Sequence, residues 1–214
     1  NGAGSSLDKT GIAGTYRLGI GEVDEFSASL YHLDNRNGMN YGMPFIRPTT
    51  TSPVQDTTLL PLDPTAYFGM ASDYNDGKAT QATLTHTHRF SSTVEVVSKL
   101  RSARYERDQR AGTVRFAAAA AQPGRVAVSL ATFGPDTVIT RGSQLKIQDL
   151  QTLHAQSDLS AKFQSLGFKH EVQAGIDYAR EEKQVFGARS AAQGGVTLTK
   201  PNTTVGKPND GASI

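Results

Sequence analysis

Apolar and polar residues alternate with a period of two in three separate stretches of the chain. In the first stretch, one side carries Ile12, Gly14, Tyr16, Leu18 and Ile20, and after a turn at residues 21–24 it carries Phe26, Ala28 and Leu30. The residues between them are mostly small or polar. Because successive side chains of a strand point to opposite faces, this pattern predicts two β-strands. We expect residues 11–20 to pair antiparallel with residues 25–34.

The second and third stretches repeat this hairpin in architecture, though not in sequence. One face of the second is formed by Thr80, Ala82, Leu84, His86, His88 and Phe90, followed by Val94, Val96, Ser98 and Leu100. One face of the third is formed by Leu153, Ala155, Ser157, Leu159, Ala161 and Phe163, followed beyond a turn around Gly167 by Val172, Ala174, Ile176 and Tyr178. We expect residues 79–90 to pair with 93–104, and residues 145–163 to pair with 169–182.

The connections alternate between very short turns and long polar segments. The long segments are residues 35–78, about 105–143 and about 184–214, and the run of five alanines after Phe116 favours a helical turn in the second. Outer-membrane barrels combine short periplasmic turns with long extracellular loops, and their tilted strands need about 10 residues to cross the bilayer. The pattern therefore predicts an all-β fold of antiparallel up-and-down hairpins, a partial transmembrane β-barrel. Residues 1–214 are interpreted as six strands of one barrel domain.

Composition narrows the class of protein. Hydrophobic residues make up 37% of the 214 residues and aromatic residues 7%, with no Trp, which is little material for a dry core. No run of about 18 apolar residues exists, so a transmembrane helix is not expected. The absence of Cys excludes disulfides and thiolate sites. A net charge of +2 gives no reason to expect a nucleic-acid partner. The start at Asn1 lacks a signal peptide, so the chain is interpreted as an internal fragment.

Several strand and loop segments resemble TonB-dependent siderophore receptors, particularly those of the catecholate type. The segments that carry the resemblance are residues 25–38 (EFSASLYHLDNRNG), 40–48 (NYGMPFIRP), 80–90 (TQATLTHTHRF) and 167–182 (GFKHEVQAGIDYAREE). No one of these motifs is diagnostic alone. The resemblance depends on their order and spacing along the chain.

The resemblance implies a barrel of about 22 strands with a plugged lumen. It implies a function in binding and uptake of ferric siderophores across the bacterial outer membrane, with energy delivered by the TonB protein through a part of the receptor that precedes this chain. The implied partners are the ferric siderophore, TonB and outer-membrane lipid, and no cofactor is implied. This sequence departs from the family pattern because it shows no plug domain, no energy-coupling box and no C-terminal strand ending in an aromatic residue.

A basic stretch near the end of the fourth predicted strand is the strongest charge feature. It contains Lys99, Arg101, Arg104, Arg107, Arg110 and Arg115, with Tyr105 and Phe116 among them and only Glu106 and Asp108 opposing them. Cationic and aromatic groups attract an anionic iron chelate and contact its rings. Arg101, Arg104, Tyr105, Arg107 and Arg110 are therefore candidate ligand-binding residues. The alternative is a solvated basic edge that faces lipopolysaccharide.

The first long loop carries a second group of aromatic and cationic residues. Tyr41, Phe45, Arg47 and Tyr67 are the candidates for ligand contact in this loop, and Phe68 and Tyr74 accompany them. The alternative is internal packing, because a large loop must bury some of its own side chains to stay ordered.

Catalytic and metal sites are not predicted. His86 and His88 share a strand face and could ligate a metal, but no carboxylate or Cys has matching spacing in the sequence, so the pair is interpreted as part of an interfacial girdle. The signatures Gly-x-Ser-x-Gly and His-Glu-x-x-His are absent. His154 and Asp158 share a face from which Ser157 points away, so they make no triad. The chain is interpreted as a binding protein rather than an enzyme.

Two other functions stay open at this stage. The first is a soluble all-β protein, such as a hydrolase or a binding module, and the second is a structural or adhesive surface protein. The two faces of the strands distinguish a barrel from a soluble sandwich. In a barrel the apolar set Val94, Val96, Leu100, Leu159, Ala161, Val172, Ala174 and Ile176 faces lipid, and the polar set Glu95, Lys99, Arg101, Gln156, Asp158, Glu171, Gln173 and Asp177 faces the lumen. In a sandwich the apolar set is buried against a second sheet.

Overall fold

Regular structure in the described part of the chain consists of nine strands and two short 3-10 turns, Ala119–Ala121 and Pro123–Arg125. The computed structural model describes residues 4–42, 44–49, 51–53, 56–187 and 200–213. The strands are β1 (Leu7–Leu18), β2 (Asp24–Gly38), β3 (Tyr74–Ser91), β4 (Val94–Ala111), β5 (Val114–Phe116), β6 (Val138–Arg141), β7 (Gln144–Ser165), β8 (Phe168–Phe186) and β9 (Thr203–Thr204). The long strands form one antiparallel sheet in the order β1-β2-β3-β4-β7-β8, and β5-β6-β9 form a small second sheet.

All three predicted hairpins are confirmed. β1 pairs with β2, β3 with β4, and β7 with β8, each antiparallel and over the ranges expected from the sequence. The strands run further into the long connections than predicted: β2 ends at Gly38, and β4 ends at Ala111. These extensions are polar on both faces, so they lack the alternation that identifies a strand in sequence.

Two of the short turns depend on left-handed backbone. Gly19 has φ +66°, and a Cβ on it would lie 2.3 Å from the carbonyl oxygen of Asp24, so only glycine fits there. At the tip of the β7–β8 hairpin, Leu166 and Gly167 have φ of 53° and 80°. Positive φ at both residues of a two-residue turn is the type I′ pattern, whose twist matches that of the flanking strands.

The register places apolar and charged residues on opposite faces of the large sheet. Tyr16, Ala28, Leu84, Leu100, Ala155 and Tyr178 form one row across all six strands, which we call the apolar face. The row displaced by one residue is Arg17, Ser27, Thr85, Lys99, Gln156 and Asp177, on what we call the charged face. The division between the predicted apolar set and the predicted polar set is therefore confirmed.

No second layer covers the apolar face in the described part of the chain. Leu100, Leu159 and Ile176 keep 44%, 36% and 75% of their surface exposed. On the charged face, by contrast, Glu25 is buried between Arg17 and Arg89, with 2.9 Å between Glu25 Oε2 and Arg89 Nη2. A soluble sandwich would bury the apolar set and expose the charges, so this arrangement opposes that alternative.

The long connections fold together at the far end of the sheet. Residues 39–42, 44–49, 51–53 and 56–73, residues 112–143, and residues 200–213 make up what we call the loop cap. The small sheet lies within it, and the core of the loop cap comprises Ala66, Phe68 and Ile139, packed against Leu62, Val114, Phe116 and Val205. The predicted helical turn in the alanine run is present as a 3-10 turn at Ala119–Ala121. Among the described residues, no helix is long and apolar enough to cross a membrane.

Candidate ligand-binding surface

The structure separates the predicted basic cluster into two groups. Arg101, Tyr105 and Arg107 lie on the charged face of β4, whereas Arg104 and Arg110 lie on the opposite face, in register with the apolar face. The arginines recur every three residues, and a strand turns its side chains over at every residue, so successive arginines alternate in direction. The number of basic residues along the sequence does not show that the arginines are divided between the two faces of β4.

On the charged face, the candidate residues form a polar chain that reaches the first long loop. Arg101 donates to the side-chain oxygen of Gln81 and, at 3.3 Å, to the hydroxyl of Tyr105. Further along the strand, Arg107 donates to the side-chain carbonyls of Asn75, at 3.2 Å, and of Gln109. These partners are neutral, and no carboxylate lies within 4 Å of either guanidinium in the described part of the chain. Both cations therefore keep their charge uncompensated.

The buried Gln109 extends this chain into the loop. Its amide nitrogen donates to the hydroxyl of Tyr41 at 2.5 Å, and only 1% of the residue is exposed. Tyr41 itself keeps 43% of its surface exposed. The structure thus brings Arg107, which was predicted from the strand, and Tyr41, which was predicted from the loop, into one hydrogen-bonded group.

On the opposite face, the arginines are paired with carboxylates. Arg104 Nη2 lies 2.7 Å from Glu106 Oε1 and 3.4 Å from Asp149 Oδ2. Arg110 Nε lies 3.1 Å from Asp108 Oδ1, and its guanidinium carbon lies 5.7 Å from the centre of the Tyr74 ring. These two cations are locally neutralised, so they offer less attraction to an anion than Arg101 and Arg107 do.

The remaining loop candidates differ in exposure. Phe45 is 54% exposed, and Arg47 donates to the backbone carbonyl of Ser52 at 3.2 Å. Tyr67 is 8% exposed, and its hydroxyl lies 3.1 Å and 3.0 Å from the carbonyl oxygens of Met39 and Met70. Burial and the nearby carboxylate of Asp73 raise the pKa of Tyr67 to about 12. Tyr67 therefore holds the loop in place, while Phe45 is available to a ligand.

Buried ion pairs fix the loop cap, and no pattern along the sequence predicts them. The side chain of Arg141 is fully buried, and its Nη2 lies 2.7 Å from Asp210 Oδ2, while its Nε donates to the carbonyl of Phe68 at 2.6 Å. Although burial opposes ionisation of Asp210, the bonds from Arg141 and from the amide of Ala212 hold the pKa of this carboxyl below its usual range. The contact joins three segments far apart in sequence, which no local pattern reveals.

A second buried pair ties the same segments together. Lys200 and Asp73 are in contact, with 6% and 3% of their side chains exposed. Gln122 is also buried, and it donates to the carbonyls of Ala117 and Val138 while it accepts from the Val138 amide at 2.8 Å. The loop cap is therefore a packed unit, which is the internal-packing alternative given for the first long loop, and Arg101 stays exposed.

The histidines gain a partner that sequence spacing did not show. Asp24 on β2 lies directly opposite His88 on β3, and its Oδ1 contacts both His86 and His88. No carboxylate has matching spacing along the sequence, but the pairing of β2 with β3 supplies one across strands. Ser157, as predicted, points away from His154 and Asp158, and its hydroxyl lies 2.9 Å from that of Ser98.

Comparison with known proteins finds similarity to one kind of outer-membrane receptor, although not to any family model. No family model matches the chain. The catecholate siderophore receptor Fiu of Escherichia coli O157:H7 is 21% identical over 203 residues, which cover 92% of this chain and 26% of the receptor. The Fiu receptor of Escherichia coli strain K12 gives the same figures. The chain thus spans about a quarter of the length of these curated relatives.

Solved structures show the same fold. The closed form of the ferric-catecholate import receptor Fiu from Escherichia coli K12 matches with a TM-score of 0.80 at 17% identity, over 100% of this chain and 29% of that one. The open form matches with a TM-score of 0.77 at 18% identity. The predicted all-β partial barrel is confirmed, and the predicted resemblance to catecholate siderophore receptors agrees with the similarity found. The matched proteins are receptors by name, in agreement with the prediction of a non-enzymatic chain.

Proposed function

We propose that this chain forms part of the wall and outer loops of a TonB-dependent receptor that takes up ferric siderophores of the catecholate type. Homology with catecholate siderophore receptors supports this family and the predicted location in the bacterial outer membrane. The chain would supply six strands and their loops, whereas the plug and the contact with TonB belong to parts of the receptor that lie outside it.

The uncovered apolar face is the observation that carries the membrane location. On β7 it runs from Leu153 to Phe163 and ends where Gln151 and Asp149 take the same face. About 11 residues of a strand tilted by about 40° give a band roughly 28 Å tall, close to the apolar band of an outer-membrane barrel. The apolar face then contacts lipid, and the charged face lines the lumen.

This orientation selects the ligand-binding residues from the candidates. A ferric catecholate complex is anionic and aromatic, and a cation attracts it most where no carboxylate already neutralises that cation. Arg101 and Arg107 satisfy this condition, and Tyr105 and Tyr41 add aromatic rings beside them on the lumen side. Arg104 and Arg110 point the other way and are paired with carboxylates, so we assign them to the outer surface.

The two faces of β4 provide a matched test. In the intact receptor, Arg101→Gln together with Arg107→Gln should weaken binding of a ferric catecholate by about tenfold at low ionic strength and by less at high salt, because salt screens exposed charges. Binding would be measured by quenching of protein fluorescence. Uptake would be measured as growth under iron limitation with the catecholate as the iron source.

The control pair is Arg104→Gln with Arg110→Gln, which removes the same charge from the same strand on the other face. We expect this pair to bind the ferric catecholate as the unsubstituted receptor does. Equal weakening by both pairs would contradict the assignment of faces. Full binding by the Arg101 and Arg107 variant would contradict the proposed ligand contacts, and loss of uptake in that variant despite full binding would place these residues in a later step.

A further inference from the structure

Three potential metal ligands converge at the turn end of the sheet, far from the loop cap. We propose that Asp24, His86 and His88 bind a divalent transition metal ion of the zinc type. The site lies on the apolar face, and 14 residues of β3 separate His88 from Tyr74, which corresponds to about 45 Å along the strand. It is separate from the surface assigned to the siderophore because Arg101 and Arg107 lie on the opposite, charged face of the sheet.

The strand register creates the convergence. His86 and His88 are two residues apart on β3, so both point to the same face, and Asp24 is the direct cross-strand partner of His88. Asp24 Oδ1 lies 2.8 Å from His86 Nε2 and 2.7 Å from His88 Nδ1. The regular pairing of β2 with β3 thus places the three donor atoms together.

Aromatic contacts hold both imidazoles in position. The ring of Phe26 stacks on His86, with centroids 4.4 Å apart and planes 6° apart. The ring of Phe90 meets His88 edge-on, with centroids 4.5 Å apart. These contacts restrict both imidazole rings, so little conformational entropy is lost when a metal binds.

The ligand chemistry selects the class of ion. The three donor atoms lie within 4.8 Å of one another. Because zinc bonds to imidazole nitrogen and carboxylate oxygen at about 2.0 to 2.2 Å, a single ion can reach all three after small side-chain rotations. Two imidazoles and one carboxylate, with the fourth position open to water, form a ligand set that zinc and its neighbours favour over magnesium or calcium.

Proton positions must change when the ion enters. In the described arrangement, each imidazole nitrogen that faces Asp24 is positioned to donate its hydrogen to Oδ1. A metal ion requires a lone pair at that nitrogen, so each neutral ring must then carry its hydrogen on the opposite nitrogen. The side chains of Asp24, His86 and His88 are 48%, 40% and 34% exposed. Because they lie at the turn end of the sheet, where the apolar face of the proposed barrel meets water, an ion reaches them from the aqueous side. The bound ion would join Asp24, at the start of β2, to the two histidines of β3.

The test is titration of the intact receptor in detergent with zinc chloride by calorimetry, and with cobalt chloride by visible absorption. We expect one zinc ion to bind at this site and cobalt to give the absorption bands of a site with nitrogen and oxygen ligands. Asp24→Asn keeps the size of the side chain and an oxygen that can accept the histidine hydrogens, so the sheet should fold. It should weaken zinc binding by about tenfold because the ligand loses its charge. His86→Ala with His88→Ala should abolish this binding event.

His170→Ala is the matched control. His170 lies on the same face at the same end of the sheet and also stacks on a phenylalanine, Phe163, but its Nε2 contacts only the carbonyl of Ser165 at 3.2 Å. This variant should bind zinc as the unsubstituted receptor does. The proposal is overturned if the unsubstituted receptor binds no zinc when zinc is present at roughly 100 times the protein concentration. It is also overturned if Asp24→Asn and the double histidine variant bind zinc as strongly as His170→Ala does.

Discussion

The wall formed by the large sheet and the loop cap above it are stabilised in opposite ways. In the wall, large apolar side chains such as Ile176 stay exposed, and the buried residue at the turn end is the charged Glu25. In the loop cap, Phe68 and Ile139 are almost fully buried, and two ion pairs are buried with them. The wall therefore depends on its backbone ladder and, in the proposed barrel, on surrounding lipid, whereas the loop cap has a core of its own.

This difference explains how long loops can stay ordered on a barrel. A segment that exposes its backbone and buries nothing has no free energy to offset its conformational entropy. The loop cap buries apolar side chains in the same way as a small soluble domain, and it adds hydrogen bonds from Gln122 and Arg141 to backbone carbonyls. The proposed ligand surface is connected to both regions, because Gln109 bonds to Arg107 on the charged face and to Tyr41 in the loop cap.

The largest effect should follow from breaking the buried pair of the loop cap. Arg141→Met removes the partner of Asp210 and two bonds to backbone carbonyls. Loss of one member of a buried ion pair costs about 3 to 5 kcal/mol. We expect amide hydrogen exchange to accelerate across β5, β6 and β9 and to stay unchanged in β1 to β4.

Two further variants sharpen this result. Arg115→Met removes an exposed arginine from the neighbouring strand β5 and should leave exchange in the loop cap unchanged. Asp210→Leu combined with Arg141→Met replaces the ion pair by apolar groups and should recover part of the lost protection. If Arg141→Met alone left the loop cap protected, the pair would contribute little to it.

Much of the wall could be predicted from the sequence, and little of the loop cap could. Period-two alternation identified six strands and both faces because one face must be apolar over the width of the membrane. Above the membrane both faces are polar, so the ends of β2 and β4 were missed. The pairs Arg141 with Asp210 and Lys200 with Asp73 join segments separated by 69 and 127 residues, and no local rule links positions so far apart.

The candidate site likewise combines features that the sequence predicts with features that depend on strand pairing. The residues of the proposed ligand surface come from the predicted basic stretch on β4 and from the aromatic residues of the first loop. The directions of the side chains were not predicted, since a spacing of three on a strand alternates between faces. Asp24 was missed for a related reason: its closeness to His88 depends on the pairing of β2 with β3.

The next largest effect should come from placing a charge on the apolar face. Ile176→Arg puts a cation where the proposed barrel meets the middle of the lipid, at a cost of about 2 to 4 kcal/mol. Asp177→Arg places the same residue one position along β8, on the charged face, and should cost much less. Denaturant unfolding in lipid vesicles would measure both, and equal losses would show that the apolar face does not contact lipid.

The smallest effect concerns Tyr67, whose hydroxyl joins the first loop to the rest of the loop cap. Tyr67→Phe removes the hydrogen bond to the carbonyls of Met39 and Met70 and should lower the stability of the loop cap by about 0.5 to 1.5 kcal/mol. Burial raises the pKa of Tyr67 to about 12, above the ordinary value of 10.0. An acid whose pKa is raised in the folded state contributes stability that is present below its ordinary pKa and is lost as the pH rises towards the folded value.

The loop cap should therefore lose stability between about pH 10 and pH 12, and Tyr67→Phe should remove the share of that loss that this phenol causes. Absorption of the tyrosinate at alkaline pH, followed in the unsubstituted protein and in Tyr67→Phe, would isolate the residue that ionises near pH 12. The wall offers a contrast in Tyr16, which is 70% exposed on the apolar face. Tyr16→Phe should leave the alkaline loss of the loop cap unchanged. If the stability of the loop cap fell with rising pH in the same way in both variants and in the unsubstituted protein, ionisation of Tyr67 would not be the cause of the alkaline loss.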